Sequence, residues 1–265
     1  MRQDALWISA TGIGSSPWQA KVRHDSERAE RATLARSSLA DQNQLTGSAA
    51  GAPDDPNVAE RAACELVERW LCHVWWAGKR PALSPCATAM HTLETSLRTW
   101  PRRQSRQTGV LALQHPGLPV VHVVWSCMQD GRSLCFGMAA ASNVKTSVRS
   151  AVREVFQMEF GLSVVRHKHQ NHVALSGPEQ SVMARADALG RPEIAPLLTP
   201  TPDFAVPDVD RPDTLGALET LGFSPKLRTQ ICANATHKVA EVAVARAALG
   251  LPTRSETLWS LYGTV

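Results

Sequence analysis

The motif Glu-x-x-Glu-Arg occurs twice in this chain, once from Glu27 to Arg31 and once from Glu65 to Arg69. Each copy lies in a segment whose pattern predicts a helix, and each helix follows a glycine-containing loop. Residues three apart share one face of a helix, so each copy presents two carboxylates side by side. Packing the two helices together would bring four like charges close, which requires cations to offset their repulsion. The repeat therefore predicts a divalent metal site with a phosphate ligand.

A third helix, predicted over residues 145–160, carries Glu154 and Gln157 at the same spacing of three. Its apolar residues, among them Val152 and Phe156, fall on a different face. A single such motif is typical of a solvated charged face. Three motifs instead favour a magnesium–nucleotide site, in which a few carboxylates and the substrate phosphates hold Mg²⁺ and arginines offset the phosphate charge.

The chain has 265 residues, of which 43% are apolar, and a net charge of +4. This length suits one large domain or two small ones, and we expect a single domain over residues 1–265. The basic cluster from Arg102 to Arg106 is typical of a solvated loop, so we expect no nucleic acid partner. No stretch is long enough to span a membrane, and no apolar signal core follows Met1. The six cysteines lack metal-finger spacing, so we expect buried thiols in a cytoplasmic protein.

Two other candidate sites carry less weight. His167, Lys168 and His169, with His172 nearby, match no strong metal template and are predicted to form a basic surface loop. A nucleophile–base pair of Cys127 with His122 is disfavoured because strand alternation places the two side chains on opposite faces. The chain has no Gly-x-x-x-x-Gly-Lys-Ser/Thr loop, which excludes an ordinary P-loop.

Turn, strand and helix signals predict further elements. Asp130-Gly131 predicts a hairpin between strands over residues 118–128 and 133–139. The predicted segments elsewhere are a small-residue turn over 47–51, a Pro-rich surface segment over 177–216, a short helix from Pro212 and a helix over 236–249.

In their order, these motifs resemble those of the YcaO family, ATP-dependent enzymes that activate peptide backbone amides. The family's first motif resembles Gly12-Ile13-Gly14, Gln19-Ala20 and the first Glu-x-x-Glu-Arg. Its second resembles Ala49-Ala50-Gly51-Ala52 followed by the second copy, and its third resembles the pair of Glu154 and Gln157. The resemblance extends from about residue 4 to residue 160.

The resemblance implies an α+β fold of YcaO type, with an antiparallel sheet packed against the motif helices. It implies ATP and Mg²⁺ as cofactors and cyclodehydration to an azoline, or a related amide activation, of a ribosomally made precursor peptide. The implied partners are that peptide, a protein that recognises it and, as an option, a second copy of this chain. No catalytic residue is assigned. The implied metal ligands are Glu27, Glu30, Glu65, Glu68 and Glu154, and the implied ATP-binding residues are Arg31, Arg69 and Gln157.

Several positions depart from the family pattern. Ile13 replaces a lysine, Arg23 replaces a serine, and Ala52 replaces an asparagine. These changes favour an alternative function, a shortened subunit that does not use ATP and acts as a scaffold or regulator of a partner enzyme. The retained carboxylates favour the enzyme, because a cluster of like charges is costly to keep without a cation.

Overall fold

The computed structural model describes residues 7–8, 13–14, 45–51, 54–76, 80–98, 105–188, 195–205, 213–233 and 241–249. The strands are β1 Trp7–Ile8, β2 Ile13–Gly14, β3 Leu45–Gly51, β4 Leu83–Ser84, β5 Arg106–Leu113, β6 Val121–Met128, β7 Cys135–Ala140, β8 Thr201–Ala205, β9 Lys226–Ala233 and β10 Glu241–Leu249. The helices are α1 Val58–Trp76, α2 Ala87–Leu97, α3 Val144–Gln170, α4 Gly177–Ala188 and α5 Thr214–Thr220. This mixed α+β architecture confirms the predicted fold class.

The larger sheet has the strand order β7-β6-β5-β4-β8 and is buried on both faces around its middle strands. Alternate residues of β6 enter different cores: Val123 packs in a core with α1, and Val124 packs in a core with α3. A strand buried on both faces has no need for polar alternation, which explains the apolar run in β6. The antiparallel β6–β7 hairpin confirms the prediction made from Asp130-Gly131.

The smaller sheet has the order β3-β10-β9, with β10 antiparallel to both neighbours. Residues 236–249 were predicted as a helix, and this prediction is wrong because 241–249 form the central strand β10. The segment is rich in alanine, which fits the helix periodicity as easily as the strand periodicity. Pairing with strands on both sides satisfies the backbone of β10 and overrides its local preference.

The small-residue segment 47–51 was predicted as a turn, and this prediction is also wrong, because it forms most of β3. Its residues are small because the strand lies directly against α1. A Cβ atom on Gly47 would overlap main-chain atoms of Ala62 and Leu66. Glycine here permits close approach rather than a reversal of the chain.

Helix α1 packs against both sheets, contacting β3 and β10 on one side and β7 and β6 on the other. Its residues Val58, Ala62 and Leu66, which share one face at helical spacing, are buried. Helix α3 lies across β7 and β6 on the opposite face of the larger sheet. It begins at an Asn143 cap and continues to Gln170, ten residues beyond its predicted end.

Regular elements also occur within the Pro-rich segment 177–216, where the sequence predicted surface chain as far as the short helix from Pro212. Helix α4 begins at Gly177, preceded by Ser176 and stabilised by Glu179, which accepts hydrogen bonds from the backbone and hydroxyl of Ser176. Strand β8 lies at the sheet edge, which is where Pro202 can be accommodated. The short helix predicted from Pro212 is observed as α5.

Of the helices that the structure describes, none has the length and apolar character of a membrane span. Five described cysteines have free thiols. Cys86 is partly exposed, and the other four are buried, as predicted: Cys64, Cys72, Cys127 and Cys135.

Candidate active site

Two helices supply the described part of the candidate site. Helix α1 carries Glu65, Glu68 and Arg69, and helix α3 carries Glu154 and Gln157. Both helices contact β7, so the second and third motifs meet at one edge of the larger sheet. The first motif, with Glu27, Glu30 and Arg31, lies outside the described residues.

Backbone N–H groups fix two of the carboxylates. The Oε2 atom of Glu65 accepts a hydrogen bond from the backbone of Ser48 in β3, at 3.1 Å. The Oε2 atom of Glu154 accepts one from the backbone of Met138 in β7, at 2.8 Å. β3 and β7 are each the first strand in their sheet order and pair there with a single neighbour. Hydrogen bonds to ionised acceptors are among the stronger ones in proteins, so each bond holds its carboxylate in place.

Glu68 lies in the electrostatic field of both fixed carboxylates. Burial raises the pKa of Glu68 well above its ordinary value, and the negative charges of Glu154 and Glu65 raise it further. The charge of Arg69 and a hydrogen bond from the backbone of Ala140 oppose this shift. Three carboxylates from two helices therefore share one electrostatic environment, as the sequence predicted for these residues.

Arg69 forms an ion pair with Oε1 of Glu65, one helical turn earlier. Its guanidinium group is placed at the border of the carboxylate cluster, where a phosphate oxygen could also be bound. Cys72 follows Glu68 by one turn and is fully buried. Burial raises the pKa of the Cys72 thiol well above its ordinary value, with smaller contributions from Glu68 and Glu154. A thiol kept protonated is a poor metal ligand, so the carboxylates are the better candidate donors.

The donor set fits Mg²⁺ held together with a nucleotide. Within the described residues, no three metal-ligating side chains converge closely enough to hold an ion by themselves. Mg²⁺ characteristically takes only one or two carboxylates and completes its coordination with water and substrate phosphates. The carboxylates of Glu65, Glu154 and Glu68 are hard oxygen donors, and a bound cation would relieve the repulsion that raises the pKa of Glu68.

Sequence reasoning missed the residues whose backbone contacts the two helices and their carboxylates. They are Gly47 and Gly137, which let each helix approach its strand, and the N–H groups of Ser48 and Met138. One signal was available in the sequence: a glycine precedes Glu65 by 18 residues, and another precedes Glu154 by 17. Neither spacing stands out without knowledge of the strand–helix contact.

The other candidate sites have structural roles. The Nδ1 atom of His122 is 2.8 Å from the Ser147 hydroxyl, which itself donates to the carbonyl of Ala139. This contact joins α3 to the sheet and places His122 on the α3 side, whereas Cys127 packs in the core with α1, as the strand alternation predicted. Residues 167–169 were predicted as a loop, and this prediction is wrong because they form the last turn of α3. There the positive charge of Lys168 favours the carboxyl end of the helix.

Solved structures similar to this chain include heterocyclases and a microcin synthetase complex. A "heterocyclase in complex with substrate and cofactor" matches with a TM-score of 0.59 and 18% identity, over 77% of this chain and 27% of the other. The heterocyclase TruD matches with a TM-score of 0.51 and 18% identity, over 82% and 30%. The Escherichia coli microcin synthetase McbBCD complex with pro-MccB17 bound matches with a TM-score of 0.50 and 12% identity, over 76% and 52%. These identities show likeness of fold, and this chain spans about a quarter to a half of those proteins.

No curated protein sequence matches the chain. The family model "YcaO cyclodehydratase, ATP- and Mg²⁺-binding" matches residues 42–253. The match begins after the first Glu-x-x-Glu-Arg motif and continues well past residue 160, where the resemblance drawn from the motifs ended. The description names ATP and Mg²⁺, which confirms the cofactor expectation at the level of the family. Because the match covers most of its length, this chain belongs to the YcaO family.

Proposed function

We propose that this chain takes part in the ATP- and Mg²⁺-dependent activation of backbone amides in a ribosomally made precursor peptide. Cyclodehydration to an azoline is the form of this reaction that we favour. One observation carries the proposal: Glu65 and Glu154, from different helices, each accept a hydrogen bond from a backbone N–H group, and the charges of both raise the pKa of Glu68. The heterocyclase fold of the similar structures supports it.

Glu65, Glu68 and Glu154 would hold Mg²⁺, and the sequence adds Glu27 and Glu30 to this set. Arg69, Gln157 and Arg31 would contact the nucleotide. Bound ATP would supply the phosphoryl group that turns an amide oxygen into a leaving group. The protein residues contribute positioning and charge compensation, since phosphoryl transfer requires little covalent chemistry from the enzyme.

Peptide recognition would involve a partner protein. One similar structure is a three-component synthetase with a precursor bound, and this chain spans only part of each heterocyclase that it resembles. We therefore propose that the substrate reaches the carboxylate site with the help of a second polypeptide. A homodimer remains a separate prediction.

The test is calorimetric titration of ATP, with Mg²⁺ in excess, into wild type, Glu154→Gln and Glu68→Gln. The matched control is Glu94→Gln, an exposed acidic position on α2 away from the site. We expect saturable binding by wild type and the control. We expect at least about a tenfold loss of affinity in both site variants, equivalent to about 1.4 kcal/mol.

Mass spectrometry of the candidate precursor peptide, incubated with the protein, its partner and ATP, completes the test. The expected product is lighter by one water molecule for each ring formed. Binding that survives Glu154→Gln would place the nucleotide elsewhere. A wild-type protein that binds no ATP, with its partner present, would overturn the proposal in favour of the scaffold alternative.

A further inference from the structure

The two strand–helix pairs at the candidate site repeat one arrangement. A Cβ atom on Gly47 of β3 would overlap the carbonyl oxygen of Ala62 and the backbone nitrogen of Leu66 in α1. A Cβ atom on Gly137 of β7 would overlap the carbonyl oxygen of Ala151 and the backbone nitrogen of Val155 in α3. In each helix these two contacts lie three residues before and one residue after a site glutamate, Glu65 or Glu154.

The residue after each glycine donates to that glutamate. Ser48 follows Gly47 and donates to Oε2 of Glu65, and Met138 follows Gly137 and donates to Oε2 of Glu154. N–H groups alternate in direction along an antiparallel strand. β7 is bonded to β6 on one side, so the N–H of Met138 points away from the sheet toward α3. The backbone N–H of Ser48 likewise points away from β10 and toward α1.

Glycine is required for this contact. With a side chain at Gly137, the strand and the helix would have to separate, because the overlapping atoms belong to the helix main chain and cannot rotate away. The bond from Met138 to Glu154 is 2.8 Å long and would be broken by a shift of about an ångström. The Glu154 side chain, released from its donor, would then move away from the like charges of its neighbours.

We propose that Gly47 and Gly137 are positioning residues for the nucleotide site. Each lets its strand approach the helix packed on it, so that the N–H of the next residue fixes a carboxylate of that helix. This inference rests on the proposed function for its purpose, but its geometry can be tested without ligand. Glu68 and Gln157 hold equivalent positions in the two helices, because each follows the anchored glutamate by three residues.

Amide hydrogen exchange measured by NMR on the ligand-free protein tests the bonds themselves. Glu154→Ala removes the acceptor of the Met138 N–H, at an exposed position. Glu65→Ala removes the acceptor of the Ser48 N–H. The Met138 amide should exchange at least about tenfold faster in Glu154→Ala, with the Ser48 amide unchanged, and the reverse should hold in Glu65→Ala. If neither amide responds to the loss of its glutamate, the arrangement is overturned, whatever the protein binds.

The glycines are tested by Gly137→Ala and Gly47→Ala, with Gly109→Ala as the matched control. A Cβ atom on Gly109 would lie 2.6 Å from the ring of Trp125, so this variant strains the same sheet away from the site. Thermal melts measure the cost to the fold, and calorimetry of ATP with Mg²⁺ measures the site at a temperature where each variant is folded. We expect at least a tenfold loss of affinity in the first two variants and less than a twofold change in the control.

Equal affinities in folded Gly137→Ala, folded Gly109→Ala and wild type would overturn the positioning role. Absence of binding in wild type would instead count against the proposed function. The hydrogen-exchange measurement would still decide the geometry in that case. The hydrogen-exchange measurement would also decide the geometry if neither Gly137→Ala nor Gly47→Ala folded, because it uses the glutamate variants.

Discussion

At the scale of single residues, Glu68 lies in an environment that disfavours its negative charge. Burial raises the pKa of its carboxyl, and the charges of Glu154 and Glu65 raise it further. Without a cation, ionised Glu68 therefore destabilises the fold, while the combined negative charge of the three carboxylates would strengthen the binding of a cation. Such a conflict between stability and binding is typical of functional sites.

Glu68→Gln should therefore stabilise the metal-free protein while weakening Mg²⁺-dependent ATP binding. A gain of about 0.5–2 kcal/mol is typical when one unfavourable feature is removed, and for a chain of this size it raises the melting temperature by about 2–4 °C per kcal/mol. The measurement is a thermal melt in a chelator, with Glu94→Gln as control. A destabilised Glu68→Gln would show that Glu68 is already compensated within the protein.

The raised pKa of Glu68 fixes the direction in which stability changes with pH. A carboxyl whose pKa is raised on folding binds its proton more tightly in the folded state. Its contribution to stability is present below the unfolded pKa and is lost as pH rises through the folded pKa. In chelator, wild type should lose stability as pH rises above about 4.5, and this component of the slope should be absent in Glu68→Gln.

At the scale of elements, a buried ion pair holds α3 on the larger sheet. The Nε atom of Arg106, at the start of β5, lies 3.2 Å from Oε1 of Glu159, and both side chains are almost fully buried. The same guanidinium donates to the hydroxyl of Ser126 and to the carbonyl of Ser133. The pair thus joins β5, the β6–β7 connection and the helix that carries Glu154.

Breaking this pair from one side should cost about 3–5 kcal/mol, because it leaves a buried charge without its partner. Arg106→Met and Glu159→Gln should each destabilise the protein, and the double variant should lose less than the sum of the two. A coupling energy of at least about 1 kcal/mol in a denaturant-unfolding double-mutant cycle is expected. Strictly additive losses would contradict this account of how α3 is held.

Some elements could be predicted from the sequence and others could not, for physical reasons. The β6–β7 hairpin could be predicted because its turn dipeptide and flanking apolar runs act locally. Strands β3 and β10 could not, because their small residues carry little strand preference, and only pairing and contact with α1 place them. The candidate ligands Glu65, Glu68 and Glu154 could be proposed from their spacing and motif order, and their metal-binding role stays a prediction. Their anchoring could not, because backbone N–H groups leave no mark on the residue type that bears them.

At the scale of the whole molecule, the site joins two sheets. Glu65 is tied to β3 of the smaller sheet, and Glu154 is tied to β7 of the larger one. A ligand that contacts both carboxylates would connect the two edges, in addition to α1, which already packs against both sheets. Ligand binding stabilises the closed state against every opening that separates the ligand's contacts, by an amount that grows with the logarithm of ligand concentration over the dissociation constant.

ATP with Mg²⁺ should therefore slow amide exchange in β3 and β7 together. At one hundred times the dissociation constant the stabilisation is about 2.7 kcal/mol, or about a hundredfold slowing for amides that exchange through such openings. Hydrogen-exchange mass spectrometry with and without ligand measures this, and Glu154→Gln should reduce the effect in both strands. Helix α4, which contacts neither strand appreciably, serves as the internal reference. Slowing confined to one of the two strands would mean that the ligand binds to a single sheet, and the carboxylates of α1 and α3 would then not form a common site.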